Sequence, residues 1–432
     1  LFLRLDDRSS PRILQVMKYS SCLIVFAVIV ALSTTVECGK NKKKTGNSKP
    51  DKTKPIKVTG TQNKPNPFGS SITDFSLDFM KALHKSESSS GTLQKNLVFS
   101  PSNIFRALLL LSFGANGHTK SQLYNALHLQ TVGKVNEGYK TWKSLRVPGV
   151  LEADRLYYDT EIQMKQPIKA LLTDDIHQVA MSDASTINQV NKWVSSMTQG
   201  KISKLLDDKL DDVKVLLLSV VYMRAEWKRM FEKENTQKSE FKTHNGEKKV
   251  DMMVRMRTRV PYVDSASLKS QVVSLEYKDS PLSFLVFLPN VTAGQTVDEL
   301  ISSLNRDEVK KTVDSMETED INLYLPKFTV KADIDLIPML KTLGVEDVFT
   351  DAADLSSFTD QQLYVKKALQ KVILEVDEKG TTAAAATAIE AVPMRMTYPV
   401  TFKADHPFVY MIYDKFSHMP LFVGVMMDPT QG

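Results

Sequence analysis

Residues 377–399 read Asp-Glu-Lys-Gly-Thr-Thr-Ala-Ala-Ala-Ala-Thr-Ala-Ile-Glu-Ala-Val-Pro-Met-Arg-Met-Thr-Tyr-Pro. A strand-like apolar run, Val365–Val376, leads into this stretch, and a shorter one, Val400–Phe402, leads out. A connection of about 20 residues between two strands of a compact domain is usually functional or disordered. Positions 381–388 contain only Ala and Thr. Alanine favours helix, whereas threonine and the flanking strands favour extension.

Outward from this segment, the chain alternates two periodicities. Helical spacing marks Ser70–Lys85, Ser102–Phe113 (stopped by Gly114), Thr119–Leu127, Ile187–Thr198, Thr296–Leu304 and Ile334–Leu343. Strand-like runs are Asn96–Pro101, Val213–Met223, Val272–Leu275, Leu282–Leu288 and Ile321–Leu325. Val-Lys-Val-Leu-Leu-Leu-Ser-Val-Val-Tyr-Met, residues 213–223, is apolar on both faces, which suits a central strand covered by other layers. Chain length, 432 residues, allows a large core. Two cysteines, Cys22 and Cys38, exclude a disulfide scaffold and a multi-cysteine zinc site.

The N-terminal region reads as processing and tail. Residues 1–16 look like sequence upstream of a start at Met17. Residues 17–38 have a basic beginning, a short apolar run at Leu23–Leu32 and a small-residue end, the pattern of a secretory signal. That run is too short to span a bilayer, which takes about 20 residues. Cleavage after Cys38 would remove both cysteines, so the expected product is secreted, extracellular and free of thiols. Residues 39–67 hold nine lysines against one aspartate, and the whole chain carries +6. Lys40, Lys42, Lys43, Lys44, Lys49, Lys52, Lys54 and Lys57 are therefore candidates for binding a polyanion, either a heparin-like glycosaminoglycan or an acidic phospholipid surface. Secretion argues against nucleic acid. The remaining span, residues 68–432, reads as one domain.

No phosphate-cradling loop, dinucleotide fingerprint, zinc-protease motif or nucleophile elbow occurs, so no enzyme of those classes is expected. The seven histidines have no metal-ligand spacing, and no cofactor or metal is expected.

Asp377-Glu-Lys-Gly-Thr-Thr-Ala-Ala-Ala-Ala-Thr387 resembles the hinge of the reactive loop in the serpin family, and Phe402-Lys-Ala-Asp-His-Pro-Phe408 resembles the segment after that loop. Asn96–Pro101, Gly114–Thr119, Asn191–Val194, Thr198–Ile202, Trp227, Leu325–Phe328, Leu343–Val345 and Leu421–Gly424 match family segments in order. The resemblance covers about residues 68–429. It implies an α+β fold, a single domain of three β-sheets and about nine helices with an exposed reactive loop. The implied function is suicide inhibition of serine proteases by insertion of that loop as a new strand, a strand addition of the kind known for serpins.

The hinge implied by the resemblance is Glu378, Gly380, Thr381, Thr382, Ala383, Ala384, Ala385, Ala386 and Thr387. In a strand Thr381, Ala383, Ala385 and Thr387 would share the inward face, and none carries a charge that burial would strand. Departures from the family are Asn103 for a serine, Gln370 for a histidine and Met223-Arg-Ala225 for Phe-Lys-Gly. The family's spacing puts the reactive bond after Met394, with Arg395 and Met396 following. Methionine suits the pocket of chymotrypsin- or elastase-like proteases. Arginine suits trypsin-like ones, including coagulation enzymes such as factor Xa or thrombin, because a buried acidic pocket binds it bidentately. Both bonds remain open, and so does a non-inhibitory carrier role. Basic tail, secretion and bait arginine are similar to anticoagulant salivary serpins of blood-feeding insects. Arg255, Arg257 and Arg259 alternate and would line one basic strand face, a candidate exosite or a further polyanion contact. Asn290-Val-Thr292 is an N-glycosylation pattern in an apparent turn.

Overall fold

The computed structural model describes residues 65–431, apart from 90–91, 146–147, 207–209, 211, 224 and 382–397. In chain order the helices are α1 (Gly69–Glu87), α2 (Pro101–Gly114), α3 (Gly117–Ala126), α4 (Val135–Ser144), α5 (Gln166–Leu171), α6 (Ala184–Met197), α7 (Val297–Ser303), α8 (Arg306–Asp314) and α9 (Leu336–Thr342). The strands are β1 (Ser88–Ser89), β2 (Thr92–Leu93), β3 (Leu97–Phe99), β4 (Val150–Asp159), β5 (Ile176–Val179), β6 (Val215–Met223), β7 (Ala225–Glu226), β8 (Gln237–Thr243), β9 (Gly246–Ser265), β10 (Ser270–Glu276), β11 (Leu282–Pro289), β12 (Glu317–Pro326), β13 (Phe328–Asp335), β14 (Lys367–Val376), β15 (Gly380–Thr381), β16 (Val400–Lys403), β17 (Phe408–Asp414) and β18 (Met419–Met426).

Five strands form a sheet in the order β13-β14-β6-β4-β5. A longer path, β16-β12-β9-β10-β11-β17-β18-β3, is two sheets joined through β9. Met252–Tyr262 of β9 pairs with β12, and Tyr262–Ser265 pairs with β10. Counted this way, three sheets carry the fold, with the two-residue pairs β1-β2 and β15-β7 beside them.

Strand β6 is buried along all nine residues. Leu216, Leu218 and Val220 pack with Val190 and Val194 of α6, while Leu217, Val221 and Met223 face the main core. The double-sided apolar run thus lies between two layers, each buried large aliphatic contributing about 1.5–3 kcal/mol. Helix α2 is apolar on nearly every side, with Ile104, Phe105 and Ala107–Leu111 all fully buried. Pro101 opens it at a position that needs no N–H. Helix α7 starts on a capping box, in which Thr296 Oγ1 accepts from Glu299 N–H and Glu299 accepts from Thr296 N–H.

Helices α4, α5 and α8, strands β4, β5, β8, β9, β13, β17 and β18, and the two-residue strands β1, β2, β7 and β15 were not among the sequence expectations. Helix α4 buries only Val135, Tyr139 and Trp142, a sparse stripe at i, i+4 and i+7 in an otherwise polar segment.

Candidate functional site: the loop roots and the parallel seam

Met394, Arg395 and Met396, hinge residues Thr382 to Thr387, and tail lysines Lys40 to Lys57 all lie outside the described residues. The described part of the site is the two chain ends that flank residues 382–397 and the sheet seam that leads into the first of them.

Strands β14 and β6 are parallel neighbours in the middle of the five-stranded sheet. Their ladder runs from Lys367↔Leu216 to Ile373↔Tyr222 and stops three residues before β14 ends at Val376. Asp377–Gly380 then turns the chain. Asp377 and Gly380 exchange backbone hydrogen bonds of 3.1 and 3.2 Å, and Lys379 N–H donates to Asp377 Oδ1 at 2.9 Å. Gly380 has φ +124°, and a Cβ there would sit 2.5 Å from Ala225 O and 2.6 Å from Trp227 N. Only glycine accommodates both the conformation and the approach. Gly380–Thr381 pairs antiparallel with Ala225–Glu226, so the chain leaves over the top of the seam instead of entering it.

Trp227 anchors this turn. Its indole N–H donates to Asp377 O at 2.9 Å and its backbone N–H to Lys379 O at 3.0 Å. The ring stacks on Tyr277 with centroids 4.7 Å apart and meets Phe231 edge-on. Glu378 is almost fully buried, accepting from Lys327 Nζ at 2.9 Å and Thr236 Oγ1 at 3.0 Å. Burial alone would raise its pKa, but Lys327, the local backbone and Thr236 outweigh it and hold the carboxyl below the ordinary glutamate value.

Lower in the seam, Gln370 of β14 lies opposite Ser219 of β6. Its Oε1 accepts from Ser100 N–H at 2.9 Å, and its Nε2 donates to Ser100 O at 2.9 Å and Ser219 Oγ at 3.1 Å. Asn103 continues the network. Its Oδ1 lies 2.9 Å from Ser100 Oγ, and its Nδ2 donates to both Asp154 oxygens at 3.1 and 3.2 Å. Both amide side chains, Gln370 and Asn103, therefore use their donor and acceptor ends in hydrogen bonds. Arg106, Asp175, Lys143 and Tyr139 extend this buried polar cluster towards α4. Burial pushes the Asp175 pKa up, yet Lys143, Tyr139 and Arg106 together pull it below the usual carboxylate value.

A scan against family models matches residues 70–429 to the serpin family, described as serine protease inhibitors. The chain belongs to the serpin family. Alpha-1-antitrypsin of Meriones unguiculatus is 30% identical over 382 residues, covering 84% of this chain and 91% of that protein. Leukocyte elastase inhibitor of Sus scrofa is 28% identical, covering 83% of this chain and 98% of that protein. Among solved structures, a Manduca sexta serine protease inhibitor, serpin-12, superposes with a TM-score of 0.71 at 27% identity, covering 84% of this chain and 99% of that one.

This serpin corrects one expectation. Arg255, Arg257 and Arg259 do not share a face. Thr258 of β9 pairs with Ile321 and Arg255 pairs with Leu323, so three steps of β9 run against two of β12. The extra residue is a β-bulge, which breaks the alternation. Arg255 turns inward, its guanidinium 4.4 Å from the Phe231 ring and donating to Arg229 O. Burial, with Arg229 adding, lowers its pKa to about 9. Arg257 and Arg259 remain exposed. Asn290 caps a real turn, Val291–Ala293, with Oδ1 accepting from Thr292 N–H and Thr292 Oγ1.

Sequence reasoning named Glu378 but missed its partner Lys327, along with the Trp227–Tyr277 stack and the Asp154–Arg106–Asp175 cluster. These partners lie far apart in sequence, and no local pattern marks them. Among the described residues, no helix is long and apolar enough to cross a membrane, and no group of three or more His, Cys, Asp or Glu could hold a metal.

Proposed function

We propose that this serpin is a secreted suicide inhibitor of trypsin-like serine proteases, with Arg395 as bait. The observation that carries the proposal is the closed parallel seam below the turn at Asp377–Gly380: β14 and β6 pair directly, and that turn leads the chain away from them. Residues 381–388, all Ala or Thr, add no charge to a strand inserted there. The protease serine Oγ attacks the Arg395 carbonyl carbon while its histidine takes the hydroxyl proton. The Arg395–Met396 C–N bond breaks, the proton passes to the departing amine of Met396, and an ester links protease and inhibitor. Insertion of the freed hinge between β14 and β6 then distorts the protease's oxyanion hole before water hydrolyses the ester.

Family spacing favours Met394 and a chymotrypsin- or elastase-like target. The arginine is preferred because an acidic pocket facing methionine would stay unpaired, at about 1–3 kcal/mol or more. The parental protein should give a complex with trypsin that survives a denaturing gel, releasing a C-terminal fragment that begins at Met396. Arg395→Ala should abolish that complex and spare a chymotrypsin complex, and Met394→Ala should do the opposite. Undiminished trapping of trypsin by Arg395→Ala would sink the assignment. Coagulation proteases are the proposed physiological class, and the tail lysines are a proposed heparin-like glycosaminoglycan contact. Deleting residues 39–64 should lower the salt needed to elute the protein from heparin.

A further inference from the structure

We infer that the bulge on β9, beside the C-terminal root of the loop, is a second contact surface for the captured protease, and that it fits a protease with an acidic surface next to its cleft. This rests on the inhibitor reading above and adds the partner's surface chemistry to it.

The bulge is firmly held. Arg257 has φ +48°, a left-handed conformation uncommon outside glycine, and its N–H donates to Asn322 Oδ1 at 3.1 Å. Tyr324 O–H reaches Met256 Sδ at 3.6 Å. With Arg255 turned under the sheet onto Phe231, the bulge presents Met256 and Arg257 outward. Met256 is 59% exposed, and Tyr398, at the loop root, is 100% exposed. They are two of the five large apolar side chains found exposed among the described residues. Arg257 and Arg259 are exposed and make no ion pair among the described residues, although Asp320 lies across the ladder from Arg259.

Position decides the occupant. Thr401 and Lys403 of β16 pair with Asn322 and Tyr324 of β12, and β12 pairs with the bulge. Strands lie about 4.8 Å apart, so the bulge is about 10 Å from the first strand after the loop. A specific interface covers about 800 Å² per partner, a disc about 30 Å across. A protease that cuts within four residues before Tyr398 is held by the chain close to β16 and therefore reaches this surface. Its composition of Tyr, Met and Arg is that of interface centres. Two free guanidinium groups favour an acidic counterpart, whose attraction would speed association and fade with salt.

The test uses two trypsins of the same pocket specificity, one anionic and one cationic, with the double variant Arg257→Glu and Arg259→Glu. Both side chains are exposed, so its thermal midpoint should match the parental protein. Complex formation with anionic trypsin should slow about tenfold at low ionic strength, and the loss should shrink as salt rises, with unchanged stoichiometry. The rate with cationic trypsin should hold or rise. Met256→Ala should slow both trypsins to a similar, smaller extent. Equal slowing of both trypsins by the double variant, or no slowing of either, overturns the inference. If the parental protein forms no stable complex with either trypsin, the inhibitor reading itself fails, and this inference with it.

Discussion

Replacing Gln370 by leucine should loosen the seam without emptying it. Leucine keeps most of the side-chain volume, so the apolar packing of β14 changes little. What it loses is polar. Ser100 N–H and Ser100 C=O each give their 2.9 Å partner to this amide, and Ser100, Ser219 and Gln370 are all fully buried. Ser100 C=O keeps a second bond from Ile104 N–H at 3.2 Å, so only Ser100 N–H is left without a partner, and an orphaned buried donor costs about 1–3 kcal/mol. Ser219→Ala is the matched control. It removes only the 3.1 Å contact to Nε2 and leaves both Ser100 bonds intact, for about 1 kcal/mol or less. Urea unfolding at pH 7, followed by far-UV circular dichroism, should show the large loss for Gln370→Leu and the small one for Ser219→Ala. The reasoning is refuted if the two variants lose the same stability, because the Ser100 bonds would then contribute nothing.

How much of this was legible depended on which interactions are local. Strand β6 announced itself because a segment covered on both faces must be almost wholly apolar, as Val215–Met223 is at every position but Ser219, whose hydroxyl meets Gln370, and the phenol of Tyr222. Helix α2 was equally plain, since Pro101 and a solid apolar run mark a buried helix. Helix α4 was not, because three buried residues in ten leave little periodic signal. The arginine stripe failed for a different reason. Alternation assumes an unbroken ladder, and the bulge opposite Asn322 depends on a strand more than sixty residues away. Gly380 entered the expected hinge by resemblance alone, whereas the reason it must be glycine, the approach of Ala225 O and Trp227 N, is tertiary. At the seam, Gln370 and Asn103 looked like departures from a family pattern. Their geometry shows each amide using both donor and acceptor, Gln370 bridging Ser100 and Ser219 and Asn103 bridging Ser100 and Asp154.

Two further perturbations act on the turn above the seam. Gly380→Ala should cost about 1–3 kcal/mol in backbone strain, besides the clash with Ala225 O, and should alter the fluorescence of Trp227 as its bond to Asp377 O loosens. Unchanged stability and emission would mean that the turn relaxes freely. Glu378→Gln should remove the charge-assisted contact with Lys327, for about 1.5–3 kcal/mol at pH 7, while keeping an acceptor for Thr236. The sign of its pH dependence follows from the direction of the shift. Folding lowers the Glu378 pKa below its ordinary value of 4.5, so the unfolded chain binds the proton first as pH falls. The parental protein's advantage over Glu378→Gln is therefore complete above pH 4.5 and drains away as the pH drops through the depressed folded value. Urea unfolding of both proteins at pH 7, 5 and 3 should show a gap that narrows at the lowest pH, whereas a gap of constant size would mean that the ion pair with Lys327 is not its source.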